Sequence, residues 1–329
     1  MRNHLKQLAI AAGIALYMAT SSAAAAVTVK LGVGGNNKTS AYTNTYGAAI
    51  KKRAAEVGIN IELVYGNSGK NLDGLYNGEI DVGLAQGDVH VAKSMADDEF
   101  GEVVASLGVV GSEALLCAYN TTGRLKEWGE VEDTEAPDKA YKISADTASS
   151  GTRFSVNTIR NNIPAITAST EIYMPEEKGR EYGVARELSR LRSGKRDLVC
   201  MVLTPDPLAT EGFIALVNQD KQLSWLTIDS SAVEGIKDKK GNQAYTSADA
   251  TIGGNRLMVW IGKGDLVRVP HTPVSVYVNL ESKVMTDEVM SKLTKIVQDP
   301  DLLPADTPAA LAARAYRSAM KTAESIVAR

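Results

Sequence analysis

Apolar and polar positions follow two different periods along the first 90 residues of the chain. Residues 27–35, VTVKLGVGG, are rich in β-branched side chains and end at two glycines, which predicts a strand followed by a loop. Residues 43–57 have apolar side chains three to four positions apart, which predicts a helix. Further strands are predicted at 60–65 and 80–85, with a short helix at 72–77 between them.

Strand, polar glycine-containing loop and helix thus follow one another three times, which is typical of right-handed βαβ units and a parallel sheet. A second series begins at residue 141 with the strand YKISA and continues through EIYM and DLVCMVL, again with helical segments between the strands. The end of the chain is expected to be strand-like at 253–278 and helical at 287–297 and 308–327. The pattern predicts an α/β protein with two lobes.

Composition agrees with two soluble domains, since 329 residues correspond to about two units of roughly 150 residues. The apolar fraction of 44% and the charged fraction of 23% exclude collagen-like and disordered classes. Lys and Arg number 36 against 39 Asp and Glu, so nothing indicates a nucleic-acid partner. With three histidines and two separated cysteines, the sequence predicts neither a metal site nor a cofactor.

The N-terminus has the features of a secretory signal. Arg2 and Lys6 precede an apolar stretch at 8–18, and alanines at 23–26 provide small residues for cleavage. The apolar stretch is shorter than the about 20 residues of a comfortable membrane span. We expect residues 1–26 to be removed and the mature chain to start at Val27 in the periplasm; the alternative is an uncleaved anchor.

Cys117 and Cys200 are 83 positions apart. In an oxidising compartment two cysteines can form a disulfide. The sequence leaves two alternatives open, a Cys117–Cys200 bond and two separate buried thiols in strands.

Two α/β lobes in an exported, anchorless protein favour a hinged binding protein. Ligands of open parallel sheets bind beyond the carboxyl ends of the strands, where loops meet helix N-termini. The loop after the first strand contains Asn36, Lys38, Thr39 and Tyr42, which supply amide, hydroxyl and cationic groups; its alternative interpretation is a flexible turn with capping hydroxyls.

The next two loops contribute Ser68 and Gln86, with Ser68 also a candidate helix cap. In the second lobe, the segment 149–153 opens a helix with hydroxyls, exposed amides and an arginine, a combination suited to a carboxylate or phosphate. The alternative is a capping cluster with a solvent-exposed arginine. The candidate residues of this segment are Ser149, Ser150, Thr152 and Arg153.

The sequence contains no recognisable catalytic motif. It contains no GxSxG elbow, and neither His90 nor His271 has a recognisable nucleophile or carboxylate partner. We therefore expect a binding protein and not an enzyme.

Several runs resemble the TRAP-associated extracytoplasmic immunogenic (TAXI) solute receptors, members of the type 2 periplasmic binding protein superfamily. The runs are LGVGG, TSAY and YGAAI, then GNSGKNLDGLYNGEIDVGLAQGDV, then ISADTASSGTRFSVNTI. Further similarity lies in IDSSAVEGIKDKKGNQAYTSADATI and VPHTPVSVYVNLESKVMTDEVMSKLTKIV, so the resemblance extends with gaps over most of the mature chain.

The resemblance implies a monomeric receptor that captures a small carboxylate-bearing solute, such as a dicarboxylate or an amino acid like glutamate, and delivers it to a TRAP-type membrane permease. Lobe one would comprise 27–117 plus 277–329 and lobe two 118–276, joined by a two-strand hinge. One wall of the cleft would be formed by lobe one, with Asn36, Lys38, Thr39, Tyr42, Ser68 and Gln86, and Ser149, Ser150, Thr152 and Arg153 would close on it from lobe two. The alternative function is a periplasmic sensing subunit of the same fold that reports to a membrane signalling protein.

Overall fold

The computed structural model describes residues 27–35, 40–133, 140–147, 150–173, 183–253 and 265–304, together with Thr307 and Ala309. The expected signal segment 1–26 and the expected terminal helix at 308–327 lie outside these residues, apart from Ala309. Within the described ranges, no helix is long and apolar enough to cross a membrane.

Ten strands and eleven α-helices are present in the described residues. The strands are β1 Val27–Val33, β2 Ile59–Tyr65, β3 Val82–Gln86, β4 Val104–Asn120, β5 Tyr141–Ser144, β6 Thr170–Tyr173, β7 Leu198–Leu203, β8 Leu223–Trp225, β9 Thr246–Gly253 and β10 Asp265–Asn279. The helices are α1 Ala48–Glu56, preceded by a π-helical turn Tyr42–Gly47, α2 Ser68–Tyr76, α3 Gly87–Ala96, α4 Phe100–Val103, α5 Gly129–Glu132, α6 Gly151–Asn162, α7 Pro164–Ser169, α8 Val184–Arg192, α9 Gly212–Asn218, α10 Ser231–Glu234 and α11 Asp287–Gln298.

The strands follow the order β2-β1-β3-β10-β4-β7-β5-β6, with β9 added to β10 and β8 to β4. In the first half, β1 pairs in parallel with both β2 and β3. In the second half, β5 pairs in parallel with β6 and β7. The α/β fold class and the two series of parallel units expected from the sequence are confirmed.

Two long antiparallel strands join the halves. β10 pairs with β3 at 274–278 and with β9 at 265–271, and β4 pairs with β10 at 104–114 and with β7 at 114–119. β4 therefore changes from β10 to β7 as its partner near residues 111–114. β10 changes from β9 to β3 as its partner between residues 271 and 274. Both long strands pass from one half to the other in this region.

Each half buries apolar side chains on both faces of its strands, because helices pack on both sides. The alternation of β4 shows this in the second half, where Leu115 and Cys117 belong to one core and Leu116 and Ala118 to the other. β3 is buried at all five positions. A strand covered on both faces reads as a continuous apolar run, which is the reason that DVGLA has no polar alternation.

The disulfide joins Cys117 of β4 to Cys200 of β7, with an S–S distance of 2.06 Å. The two residues are directly opposite each other in the antiparallel register, and each is 1% exposed. Of the two alternatives left open by the sequence, the structure contains the bonded one.

The helix boundaries differ from expectation where capping groups act. α2 starts at Ser68 and not near residue 72, because the Asn67 side chain accepts a hydrogen bond of 3.0 Å from the Lys70 amide. The cap of this helix is thus Asn67, and Ser68 is free for another role.

Candidate functional site

The candidate site lies where the carboxyl ends of β1, β2, β3, β5 and β7 approach the crossing strands. The close approach of two loops shows that the halves meet here. The amide oxygen of Gln86, the last residue of β3, lies against Gly151, the first residue of α6, and leaves no space for a Cβ at that glycine. A larger residue at this position would require the Gln86 side chain to move.

A buried carboxylate, Glu113, occupies the centre of the site on β4. Its Oε2 accepts a hydrogen bond of 2.7 Å from Gln86 Nε2 and one of 3.0 Å from the Tyr42 hydroxyl. Burial raises the pKa of Glu113 to about 7, against the lowering effect of these two donors, and the nearby Asp88 raises it further. Burial and the same carboxylate also raise the pKa of the Tyr42 hydroxyl, which therefore stays protonated and donates.

Gln86 Oε1, beside this carboxylate, is buried without a hydrogen-bond partner in the described part of the chain. The Tyr46 hydroxyl of the first half and Thr204, which follows β7 in the second, are near enough for the Thr204 hydroxyl to act on Tyr46 as a hydrogen-bond partner. Since a buried polar atom without a partner costs about 1–3 kcal/mol, the Gln86 oxygen is typical of a site that is completed by a ligand or by water.

Asp88 forms a second polar connection between the halves. It is fully buried at the start of α3, and its Oδ2 accepts hydrogen bonds from the Ser155 hydroxyl of α6 and, at 2.8 Å, from the Tyr245 hydroxyl. Its backbone amide donates to Thr272 Oγ1 of β10 at 2.9 Å. Burial raises the pKa of Asp88, while the donated hydrogen bonds lower it. Asp88 therefore has an anchoring role between the halves.

Ser68 and Thr152 support the backbone of the site. Ser68 Oγ accepts a hydrogen bond of 3.2 Å from the Gln86 amide, and Thr152 Oγ1 accepts one of 2.8 Å from the Val202 amide. Both residues are nearly buried, at 5% and 3% exposure. Ser68 thereby holds the end of β3, and Thr152 holds α6 against β7. The structure brings Tyr42, Ser68 and Gln86 together as expected. The Thr152 hydroxyl, in contrast, accepts its hydrogen bond from β7 within the second half.

Arg153 is placed differently from the expectation that it binds a carboxylate in the cleft. It is 2% exposed, and its guanidinium donates to the carbonyls of Ala145 at 3.2 Å, Asp146 at 2.8 Å and Tyr173 at 3.0 Å. Asp146 has a φ of 58°, an uncommon backbone conformation for a residue other than glycine. Arg153 therefore stabilises the turn between β5 and α6 from within the second half.

Ser150 is the N-cap of α6, since its Oγ accepts a hydrogen bond of 3.1 Å from the Arg153 amide. Its side chain thus has the role that the capping interpretation predicts, immediately beside the contact between Gly151 and Gln86. The other candidates, Asn36, Lys38, Thr39 and Ser149, lie outside the described residues.

Glu113, Tyr46 and Thr204 were missed as site residues from the sequence. The signal for Glu113 was a single acidic residue inside the apolar run VVGSEALLCAY, since an unpaired charge is rare in a buried strand. Tyr46 lies in the predicted helix 43–57, whose apolar spacing indicates packing and not a polar role. Thr204 stands in a polar loop after a second-half strand, which was the position expected for a contact, but nothing in the sequence distinguished it from its neighbours.

His271 lies on β10 within the crossing region. Its Nδ1 is 3.3 Å from the Ser112 hydroxyl, and burial lowers its pKa to about 4. The ring is therefore neutral at physiological pH. Among the described residues, no group of three His, Cys, Asp or Glu side chains is arranged to hold a metal ion.

Comparison with known proteins gives structural neighbours only. No family model matches the chain, and no curated protein matches it. It is similar to an amino acid ABC transporter substrate-binding protein of Streptococcus pneumoniae bound to L-arginine, with 12% identity, a TM-score of 0.45 and coverage of 84% of this chain and 89% of that one.

Two further solved structures show similarity at the same level. The AvGluR1 ligand-binding domain in complex with glutamate has 11% identity and a TM-score of 0.46, with 84% of this chain and 91% of that one covered. The L-cystine solute receptor of Neisseria gonorrhoeae in its unliganded open conformation has 12% identity and a TM-score of 0.37, with 83% and 87% covered.

Proposed function

We propose that the protein is a periplasmic solute receptor without catalytic activity, which holds a small carboxylate-bearing solute between two lobes and passes it to a TRAP-type membrane permease. The observation that supports this function best is the buried polar cluster around Glu113, where Tyr42 and Gln86 of the first half meet Gly151 of the second and Gln86 Oε1 has no partner among the described residues. Most buried polar atoms of folded proteins have a hydrogen-bond partner.

Binding energetics favour a site shared by both lobes. Micromolar affinity corresponds to about −8 kcal/mol, whereas one hydrogen bond to a charged group contributes roughly 1.5–3 kcal/mol before ordering costs. One loop cannot supply enough. Loops of both lobes can, provided that the lobes close around the solute.

The proposed lobes are 27–117 plus 277–329 and 118–276, with β4 and β10 as the hinge. The strands support this division, since both exchange partners between residues 111–114 and 271–274. Tyr42, Ser68 and Gln86 belong to the wall of lobe one and Ser150 to that of lobe two. We include Asn36, Lys38, Thr39 and Ser149 in the same walls on the basis of their sequence positions.

Thermal unfolding with candidate solutes tests the receptor function. The mature protein, residues 27–329, would be refolded free of carried-over ligand and screened with dicarboxylates, 2-oxoacids, amino acids and inorganic oxyanions. A solute present at 100 times its Kd should add about 2.7 kcal/mol to the free energy of unfolding, a shift of a few degrees.

A matched pair of variants locates the site. Gln86→Ala should abolish the thermal shift, whereas Gln222→Ala, an exposed glutamine of the second half, should retain it. A shift that survives Gln86→Ala would place the solute elsewhere. Co-purification with a multi-span permease from native membranes would support transport, and co-purification with a histidine kinase would support sensing instead.

A further inference from the structure

We propose that helices α3 and α6 form a permanent bridge between the two halves, so that the halves stay joined on this flank of the site whether or not a solute is bound. The inference goes beyond the proposed function, because it concerns which contacts between the halves persist when the receptor is empty. Solute binding then leaves the distance across this flank unchanged.

Each half places apolar side chains in the core of the other, where α3 packs against α6. Val91 of α3, in the first half, is 3% exposed and belongs to the second-half core that includes Tyr245. Met95, one turn further along α3, packs against the same core. In the opposite direction, Phe154 of α6 packs against the first-half core that includes Leu72. Apolar side chains exchanged in this way oppose separation, whereas polar interfaces between domains permit relative motion.

Two helices of the first half enclose the exchanged phenylalanine. On α2, a Cβ at Gly69 would lie 2.7 Å from Phe154 Cε2, so the absence of a side chain there makes room for the ring. On α3, Lys93 places its Nζ 5.7 Å from the centre of the same ring, within the range of a cation–π interaction. Phe154 is therefore held from two sides by the half to which it does not belong.

The bridge begins at the hinge. Asp88, at the start of α3, accepts hydrogen bonds from Ser155 and Tyr245 of the second half, and its amide donates to Thr272 of β10. A rotation about the crossing strands displaces the atoms next to those strands least. This end of the bridge can therefore keep its contacts while more distant loops separate.

Contacts between the halves continue beyond the far end of α3, which as a helix of 10 residues is about 15 Å long. Both carboxylate oxygens of Asp98 accept from Lys239 Nζ, at 2.8 and 2.7 Å, and Lys240 Nζ donates to the Gly101 carbonyl at 2.8 Å. An exposed ion pair contributes little by itself. These contacts nevertheless show that the second-half segment 239–245 contacts the first half at both ends of α3.

The bridge is complete without a solute. Its contacts do not use the side chains assigned to the solute walls, such as Gln86 and Ser150, and both oxygens of Asp88 accept hydrogen bonds from the protein itself. A ligand shifts an equilibrium only through contacts that differ between the two states. The solute therefore has no direct means of forming or breaking the bridge.

Pulsed electron paramagnetic resonance measures the distance across the bridge. Spin labels are attached to Glu102→Cys on α4 and Asn161→Cys on α6, both exposed positions, in the mature protein. The native cysteines are bonded to each other and do not react. Without solute we expect one narrow distance peak. Saturation with a solute found in the thermal screen should leave the peak in place within about 2 Å, the size above which partners count as rearranged.

Variants in the labelled protein test which side chains hold the bridge. Val91→Ala combined with Phe154→Ala removes one exchanged side chain from each direction, and it should broaden the peak or lengthen the mean distance by more than about 2 Å. Leu216→Ala, at an exposed leucine of α9, should leave the peak unchanged. Circular dichroism establishes that each variant is folded. If the double variant does not fold, Phe154→Ala alone, at a half-buried side chain, is measured with the same expectation.

A second distance peak in the solute-free protein, or a shift of more than about 2 Å on binding, would overturn the bridge and leave the receptor function standing. An unchanged peak in the folded alanine variant would also overturn it, because the exchanged side chains would then not hold the halves together. One narrow peak, combined with no binding in the thermal screen, would support the bridge while the proposed function fails.

Discussion

Replacing Glu113 by glutamine should stabilise the ligand-free protein at alkaline pH and change it little at pH 5. Burial raises the pKa of this carboxyl from 4.5 to about 7 in the folded protein. An acid whose pKa is higher in the folded state contributes stability below its unfolded pKa, and that contribution is lost as the pH rises through the folded value. Glutamine does not titrate, so its variant escapes this loss.

The magnitude follows from the two pKa values. A difference of about 2.5 between them corresponds to about 3 kcal/mol of unfolding free energy at full ionisation. The free energy of unfolding of Glu113→Gln minus that of the wild type should therefore rise by about 2.5 kcal/mol between pH 5 and pH 9, since part of the unfolded carboxyl is already ionised at pH 5. Most of the rise falls between about pH 5 and 7, where the unfolded carboxyl is ionised and the folded one is still protonated.

Urea unfolding at pH 5, 6, 7, 8 and 9 measures this difference, and Glu62→Gln provides an exposed control whose difference from the wild type should stay flat. Groups that do not interact with Glu113 titrate equally in the proteins compared, so they cancel. A difference that is constant with pH would refute the reasoning, because Glu113 would then have an ordinary pKa in the folded state. A difference that falls with pH would mean that the site stabilises the ionised form.

Three further changes have expected outcomes. Asp88→Ala removes the carboxylate that accepts from the Ser155 and Tyr245 hydroxyls, which then have only backbone carbonyls as acceptors, and should lower the free energy of unfolding by about 1–3 kcal/mol in urea titrations; a loss below about 0.5 kcal/mol would contradict the anchoring role. Replacing Cys117 and Cys200 together by alanine opens a loop of 83 residues and should cost up to about 4.5 kcal/mol, whereas an unchanged urea midpoint would contradict a bonded pair in the folded protein. In Arg153→Lys the ammonium cannot donate to three carbonyls in the geometry of the guanidinium, so the thermal midpoint should fall by several degrees. An unchanged midpoint combined with at least tenfold weaker solute binding would show that Arg153 binds the solute in the cleft instead.

The alternation of strands and helices could be predicted from the sequence because local patterns determine it. Continuous apolar runs such as DVGLA indicated strands buried on both faces, and β3 is such a strand. The first residue of a helix could be predicted less accurately, because capping depends on which of several adjacent polar residues faces the first turn. At α2 that residue is Asn67 and not Ser68.

The role of a charged side chain depends on the backbone around it, which the sequence does not display. Arg153 at a helix start fits an anion receptor, but the left-handed conformation of Asp146 presents a carbonyl that the guanidinium binds from within the protein. Glu113 became recognisable only when the crossing of β4 placed it between Tyr42 and Gln86. Contacts between residues 71 and 27 positions apart leave no periodic signal.

The central claim is that one solute is held by loops of both lobes. Hydrogen–deuterium exchange of the mature protein, with and without the tightest-binding solute of the screen, tests this claim most directly. The account predicts slower exchange on binding in the segments 66–71 and 86–89 of lobe one and, at the same time, in 150–154 and 203–206 of lobe two. Protection confined to the segments of one lobe would contradict it.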